Sequence, residues 1–313
     1  MTQQYGRVCT LTVGDPKGEA LDLSELHIRF GIINGDVQTP KTANIRVYNL
    51  APETAKRVRN EFTQVVLQAG YEGKASTIFS GQIKQVRIGR ENATDTYIDI
   101  LAADGDVAYN QAFVSKTLSA GWTPTDWRKA ALEAMAPYGI TAGQMAPLPD
   151  IRAPRALVMY GMARDQLRTL CDTYGMTWSI VLGQLQMLPV DGVLGGVSVE
   201  LTSETGLIGL PTQTIDGIMV KCLINPLIRP GMQVRLNNAS IQEAAISTNV
   251  KYVDERPTMD ADGYYKVWAV AINGDTRGTE WYMDLVCSSV DTTGPNATPK
   301  SAAFTNLRGI YGS

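Results

Sequence analysis

Apolar residues alternate at every second position through the first hundred residues and again beyond about residue 197, and one helical stretch lies between. That pattern predicts a mainly β protein with an α+β middle domain. A repeated frame sharpens the prediction. Gln64-Val65, with Leu67 two places on, opens a stretch that closes on Gly105-Asp106; Gln233-Val234, with Leu236 two places on, opens one that closes on Gly274-Asp275. The spacings agree, since 106 − 64 = 42 and 275 − 233 = 42. Two copies of one frame predict two barrel-like domains flanking a small helix/hairpin domain. The expected boundaries are 1–112 for the first barrel, 113–190 for the middle domain, 191–290 for the second barrel and 291–313 for an extended C-terminal arm.

The elements follow in order. In 26–32, Leu26, Ile28, Phe30 and Ile32 take one face of a strand and His27 the other, which makes His27 a surface strand residue. The run 43–50 is a second strand. Pro52 suits the first turn of a short helix, with Ala55, Val58 and Phe62 on one side. Strands resume at 64–70, 77–88 and 94–103, separated by Gly-, Asn- and Asp-bearing turns. Near Leu118 the period becomes helical. Thr123 caps a helix with Pro124 at its first position, Trp127, Ala131, Ala134 and Met135 share a face, and Pro137 ends it. A second helix covers 162–173 with Leu167, Leu170 and Cys171 inward, and Gly175 stops it. Gly183-Gln184 turns a hairpin between 176–182 and 185–189. Residues 191–196 read as a linker. In the second barrel Asp260-Ala261-Asp262-Gly263 closes a hairpin between 248–253 and 264–272.

Composition narrows the function. A net charge of −3 and a pI near 5.4 lack the basic face that a dedicated nucleic-acid binder uses to displace counterions. The cysteines Cys9, Cys171, Cys222 and Cys287 are too scattered for a zinc site or a disulfide framework and read as buried thiols in a reducing compartment. No run approaches a membrane span and the first residues carry no signal pattern, so the expectation is synthesis and folding in a cytoplasm without stable membrane insertion. One histidine, with no G-x-S-x-G, P-loop or H-E-x-x-H, leaves no catalytic, cofactor-binding or metal residues to name. Asp254, Glu255, Asp260 and Asp262 read as solvated turn acids, and Lys84, Arg87 and Arg90 as a solvated basic strip. Trp127, Trp178, Trp268 and Trp281 read as core. The most motif-like string is 274–278, where Asp275 and Thr276 cap a tight turn; Arg277 either clamps an anion or pairs with a neighbouring acid or carbonyl, and the turn reading is preferred. In the arm, Phe304, Leu307, Ile310 and Tyr311 are spaced for a short amphipathic turn, which makes it a clasp or else a passive tail.

Several strings, among them ANIRVYNLA at 43–51, VLQAGYEG at 66–73, IFSGQIKQV at 78–86, DTYIDILAADGD at 95–106, VKCLINPLIRPG at 220–231 and GDTRGTEWY at 274–282, give the chain a resemblance to the baseplate hub proteins of contractile-tailed bacteriophages, the group that includes the late-control D-like proteins. With 162–189 the resemblance spans nearly the full length. It implies a homotrimer whose two tube-like barrels per subunit make a pseudo-sixfold ring, joining a sixfold tail tube protein to a threefold central spike protein. It further implies contact with other baseplate proteins and with the tape measure protein, no cofactors, passage of DNA through the channel without sequence-specific binding, and a place in the virion after assembly in the bacterial cytoplasm. The alternatives from other classes are a tail-associated cell-wall hydrolase of glycosidase type and an assembly factor absent from the virion.

Overall fold

A computed structural model describes residues 6–15, 18–35, 38–196, 198–214, 217–243 and 259–290. The first β half holds β1 (Arg7–Gly14), β2 (Ala20–Asp22), β3 (Ile28–Gly35), β4 (Thr42–Tyr48), α1 (Pro52–Asn60), β5 (Gln64–Tyr71), β6 (Ser76–Arg90) and β7 (Thr96–Ala103). The middle region holds α2 (Asp106–Gln111), β8 (Phe113–Leu118), α3 (Pro124–Met135), β9 (Thr141–Met145), β10 (Leu157–Met162), α4 (Ala163–Tyr174), β11 (Met176–Val181) and β12 (Gln184–Pro189). The second β half holds β13 (Val199–Glu200), β14 (Thr212–Thr214), β15 (Gly217–Leu223), β16 (Gln233–Arg235), β17 (Gln242–Glu243), β18 (Tyr264–Asp275) and β19 (Trp281–Ser289). The protein is mostly β with a few helices, as the alternation predicts.

The local signals act where they are expected. Thr123 and Asp126 form a reciprocal capping box at the start of α3, with Pro124 next. Gly175 ends α4 in the left-handed region, at φ 61°. The β11–β12 turn falls one residue earlier than expected, on Leu182 and Gly183 at φ 53° and 74°. Its cause is tertiary: the Asp104 carboxylate accepts both of those backbone N–H groups.

The two β halves do not stand apart. Among the described residues fourteen strands form one sheet whose path runs β17-β14-β15-β19-β18-β3-β4-β7-β6-β5-β1-β2, with β16 on β18 and β13 on β16. β18 and β3 run antiparallel from Ala269↔Gly35 to Asp275↔Arg29 and carry the sheet from one half into the other. One core follows it, from Leu11, Val65 and Ile100 through Phe30 and Ile32 to Val267, Trp281 and Leu285. The middle region packs a separate core around Trp127, Met159, Leu167 and Trp178, and Ala108 and Ala112, at and just after α2, belong to it.

The repeated anchors land at positions that are not equivalent. β5 reaches β7 only through β6, whereas β16 pairs directly with β18. Gly105 is a left-handed N-cap of α2, whereas Gly274 is a strand residue. Three further expectations change. Trp268 is half-buried rather than core, because the β18–β19 register shifts between Val267 and Ala269 at that residue. Asp260 is buried and turns the chain by accepting from Asp262 N at 3.0 Å and Tyr264 N at 3.1 Å, so it is no solvated acid. Several strands have no counterpart in the sequence reading, the long β1, β8, β10, β15 and β19 among them. Residues 248–253, Asp254, Glu255 and the arm with Phe304, Leu307, Ile310 and Tyr311 lie outside the described residues.

Candidate functional site

The seam between the halves carries the densest polar chemistry of the sheet. Strand register fixes it: on the outward face Asp275 opposes Arg29, Arg29 opposes Arg46, Arg46 opposes Asp99, and Asp99 opposes Arg87. Five neighbouring strands thus bear the sequence acid, base, base, acid, base. Asp99 is buried and takes Arg46 through Nε at 2.7 Å and Nη2 at 3.1 Å, and Arg87 at 3.3 Å. Arg46 also lies over the Tyr97 ring, 4.0 Å from its centroid. The strip of Lys84, Arg87 and Arg90 is exposed as expected; from it Arg87 reaches into the ladder at Asp99 and Lys84 pairs with Asp106 at 2.8 Å.

Asp275 is the hub of the seam turn. Its Oδ1 accepts from His27 Nε2 at 2.7 Å, Arg277 N at 2.8 Å and Gly278 N at 2.7 Å, and Arg29 Nε stands 3.4 Å from Oδ2. Burial opposes its ionisation, yet those hydrogen bonds outweigh burial and hold the carboxyl below the usual range. Thr276 completes the dock: its N–H donates to Ile28 O at 3.0 Å and its Oγ1 accepts from Ile28 N at 2.9 Å. Asp275 and Thr276 therefore cap a tight turn, and the turn is pinned to the other β half. Arg277 contributes its backbone while its side chain is exposed. His27 differs from its expected solvated setting: it is partly buried, bonded to Asp275 and stacked on Tyr48 at 4.4 Å between centroids. The reason is the partner strand, which no local pattern in 26–32 announces.

Inside the sheet the same seam closes on aromatics. A Cβ at Gly274 would sit 2.2 Å from the Phe30 ring, so glycine there is what admits Phe30, which meets Trp281 edge-on at 5.7 Å. Arg7 caps this cluster, over the Trp281 ring at 5.6 Å and donating to Gly278 O at 2.8 Å.

A second polar node joins all three regions. Lys41 is 5 % exposed and donates Nζ to Ile78 O. Burial, partly offset by Asp104, pushes its ammonium down to about 8. Asp104, 2 % exposed, is pushed up by burial to about 6 while holding the β11–β12 turn. Arg229 of the second β half lines the same small cavity as Lys41 and Leu182. Among the described residues no three His, Cys, Asp or Glu side chains gather as metal ligands, and no helix is long and apolar enough to cross a membrane.

No family model matches the chain, and none of the curated proteins matches its sequence. Among solved structures it is similar to the tail protein from Neisseria meningitidis MC58, with TM-score 0.61 and 11 % identity over 94 % of this chain and 100 % of that one. It is similar also to the 43 kDa tail protein of prophage MuSo2 from Shewanella oneidensis, with TM-score 0.58 and 9 % identity over 94 % and 100 %. A third, the Escherichia coli c3393 protein, is a type VI secretion component described as structurally similar to the T4 bacteriophage tail proteins gp27 and gp5; TM-score is 0.56 and identity 11 %, over 94 % of this chain and 77 % of that one. Identities this low speak to architecture alone, and over 94 % of its length the chain has the fold of these phage tail proteins.

Proposed function

We propose that the chain is a structural, non-catalytic hub of a phage tail: a homotrimer whose six β halves ring a channel, joining a sixfold tail tube protein to a threefold central spike protein in the virion. Other baseplate proteins and the tape measure protein are its further partners, and DNA passes through the channel without being read. The observation that carries this reading is the end-to-end fold correspondence with two tail proteins, which leaves no part of those proteins unmatched. The seam supports it physically. A symmetry adapter must hold its two halves in fixed relation, and a shared sheet with a common core does so without a flexible linker.

Mass photometry of the purified protein, alone and mixed with its spike, tests the proposal, with electron-microscopy class averages to read symmetry. The expected result is a trimer with a central channel. A strictly monomeric protein at micromolar concentration in both samples overturns it, as does release of fragments from purified peptidoglycan.

A further inference from the structure

Where the three regions meet, a cavity of about 20 Å³ is bordered by Asn34, Lys41 and Thr77 of the first β half, Leu182 of the middle region and Arg229 of the second half. A single water needs roughly 10–15 Å³, so the space takes one guest of that size and is too small for a carboxylate or a phosphate. The rest of the wall is aliphatic and proline side chains, and no acid belongs to it.

The border holds hydrogen-bond donors that the protein leaves idle. Lys41, 5 % exposed, spends one of its three N–H groups on Ile78 O and makes no ion pair among the described residues. Its other company is the Phe79 ring, 5.7 Å away at the centroid. The side chains of Arg229 and of the equally buried Asn34 bond to no described residue. Buried donors without acceptors cost free energy, and charged ones cost more. Asp104 does not repair this: its oxygens accept from the Leu182 and Gly183 N–H groups, and it stands outside the wall. One carboxylate against two cations also leaves a positive charge over.

We infer that the cavity is a binding site for chloride, which Lys41 and Arg229 hold between them and which ties the two β halves together at the middle region. A monoatomic anion accepts from every donor around it, brings no hydrogen to place against an aliphatic wall, and cancels the charge left over. A water fits the volume, but it must donate as well as accept and it cancels no charge. The site is built within one subunit, so it stands or falls apart from the ring and its partners.

Crystals of the full chain soaked in sodium bromide locate the anion by its anomalous scattering. Thermal unfolding in sodium chloride, against sodium methanesulfonate at equal ionic strength, reads its binding. The expected results are a bromide peak between Lys41 Nζ and the Arg229 guanidinium, and a midpoint that rises saturably with chloride by about 2 °C or more. Methanesulfonate, too large for the cavity, should give no such rise. No bromide peak in the cavity, or an equal rise in both salts, overturns the site. Lys41→Met keeps the bulk and removes the charge. Arg229→Gln does the same at the more exposed position, which covers the case in which Lys41→Met fails to fold. Either should abolish the peak and bring the chloride response down to that of methanesulfonate. A folded variant of either kind that keeps the peak or the chloride-specific rise also overturns the proposal.

Discussion

Asp104 holds a turn of the middle region from the end of β7, using a carboxylate that burial makes reluctant to ionise. Its folded pKa, about 6, lies above the 3.8 of an ordinary aspartate. Folding therefore favours the protonated form. The stability this group contributes is complete below pH 3.8 and is lost as pH rises through 6, a span worth about 3 kcal/mol at most. Lys41 runs the other way: its folded pKa, about 8, lies below 10.5, so its contribution is complete above 10.5 and lost as pH falls through 8. The prediction is that the stability difference between wild type and Asp104→Asn falls as pH rises from 4 to 6, because only the wild type carries the titrating carboxyl. Lys41→Met should move the Asp104 titration above 6, because the cation that opposes its desolvation is gone; ¹³C NMR of the Asp104 carboxyl reads it in the wild type and in the Lys41→Met variant. Titration near 4 in wild type and variant alike sinks the account. The sequence shows neither residue as special. A lysine between a proline and a threonine and an aspartate ahead of a Gly-Asp pair look like turn residues until the fold places both out of water.

At the scale of elements, legibility divides by the range of the interaction. The capping box of α3, the glycine stop of α4 and the alternation of β3, β4, β5 and β7 are local, and sequence reading finds them. What β3 pairs with is set by a strand some 240 positions later, and alternation says which side chains face inward without saying which strand lies alongside. The 274–278 turn was half legible. Asp275 and Thr276 announce a capped turn, but its docking on His27 and Ile28 depends on that distant pairing. Gly274 gives the test of the element. Adding a methyl group there drives it into the Phe30 ring, and overpacking of this kind costs about 1–3 kcal/mol. Gly274→Ala should lower thermal stability, and Phe30→Leu, which removes the atoms met first, should cost less in the Gly274→Ala background than in wild type. Additive losses would show that the two residues do not meet across the seam.

On the scale of the whole molecule, the boundary at 112 that composition and period suggest cuts through the sheet's longest-range joint. A chain ending at 112 keeps β1 to β7 but loses β18, leaving β3 as an edge from Arg29 to Gly35 with Phe30 and Ile32 stripped of partners. An unprotected strand of seven residues beside exposed apolar side chains is a template for another chain. It also loses Trp281, against which Phe30 packs, and the acceptors that hold Arg7. The middle region, by contrast, has its own core, closed by α3 and α4 over β8, β10 and β11. The prediction is that a fragment of residues 1–112 is insoluble or pairs edge to edge into dimers and larger species, and that in the intact protein the amides of β3 exchange with those of β18 as one cooperative unit, apart from those of α3 and α4. Size-exclusion chromatography with light scattering reads the first outcome and hydrogen exchange with mass spectrometry the second. A monodisperse, cooperatively folded monomer of residues 1–112 would mean that each β half is a self-sufficient domain. The seam would then be a contact between two finished bodies, whereas the shared core from Leu11 to Leu285 requires that neither half be finished without the other.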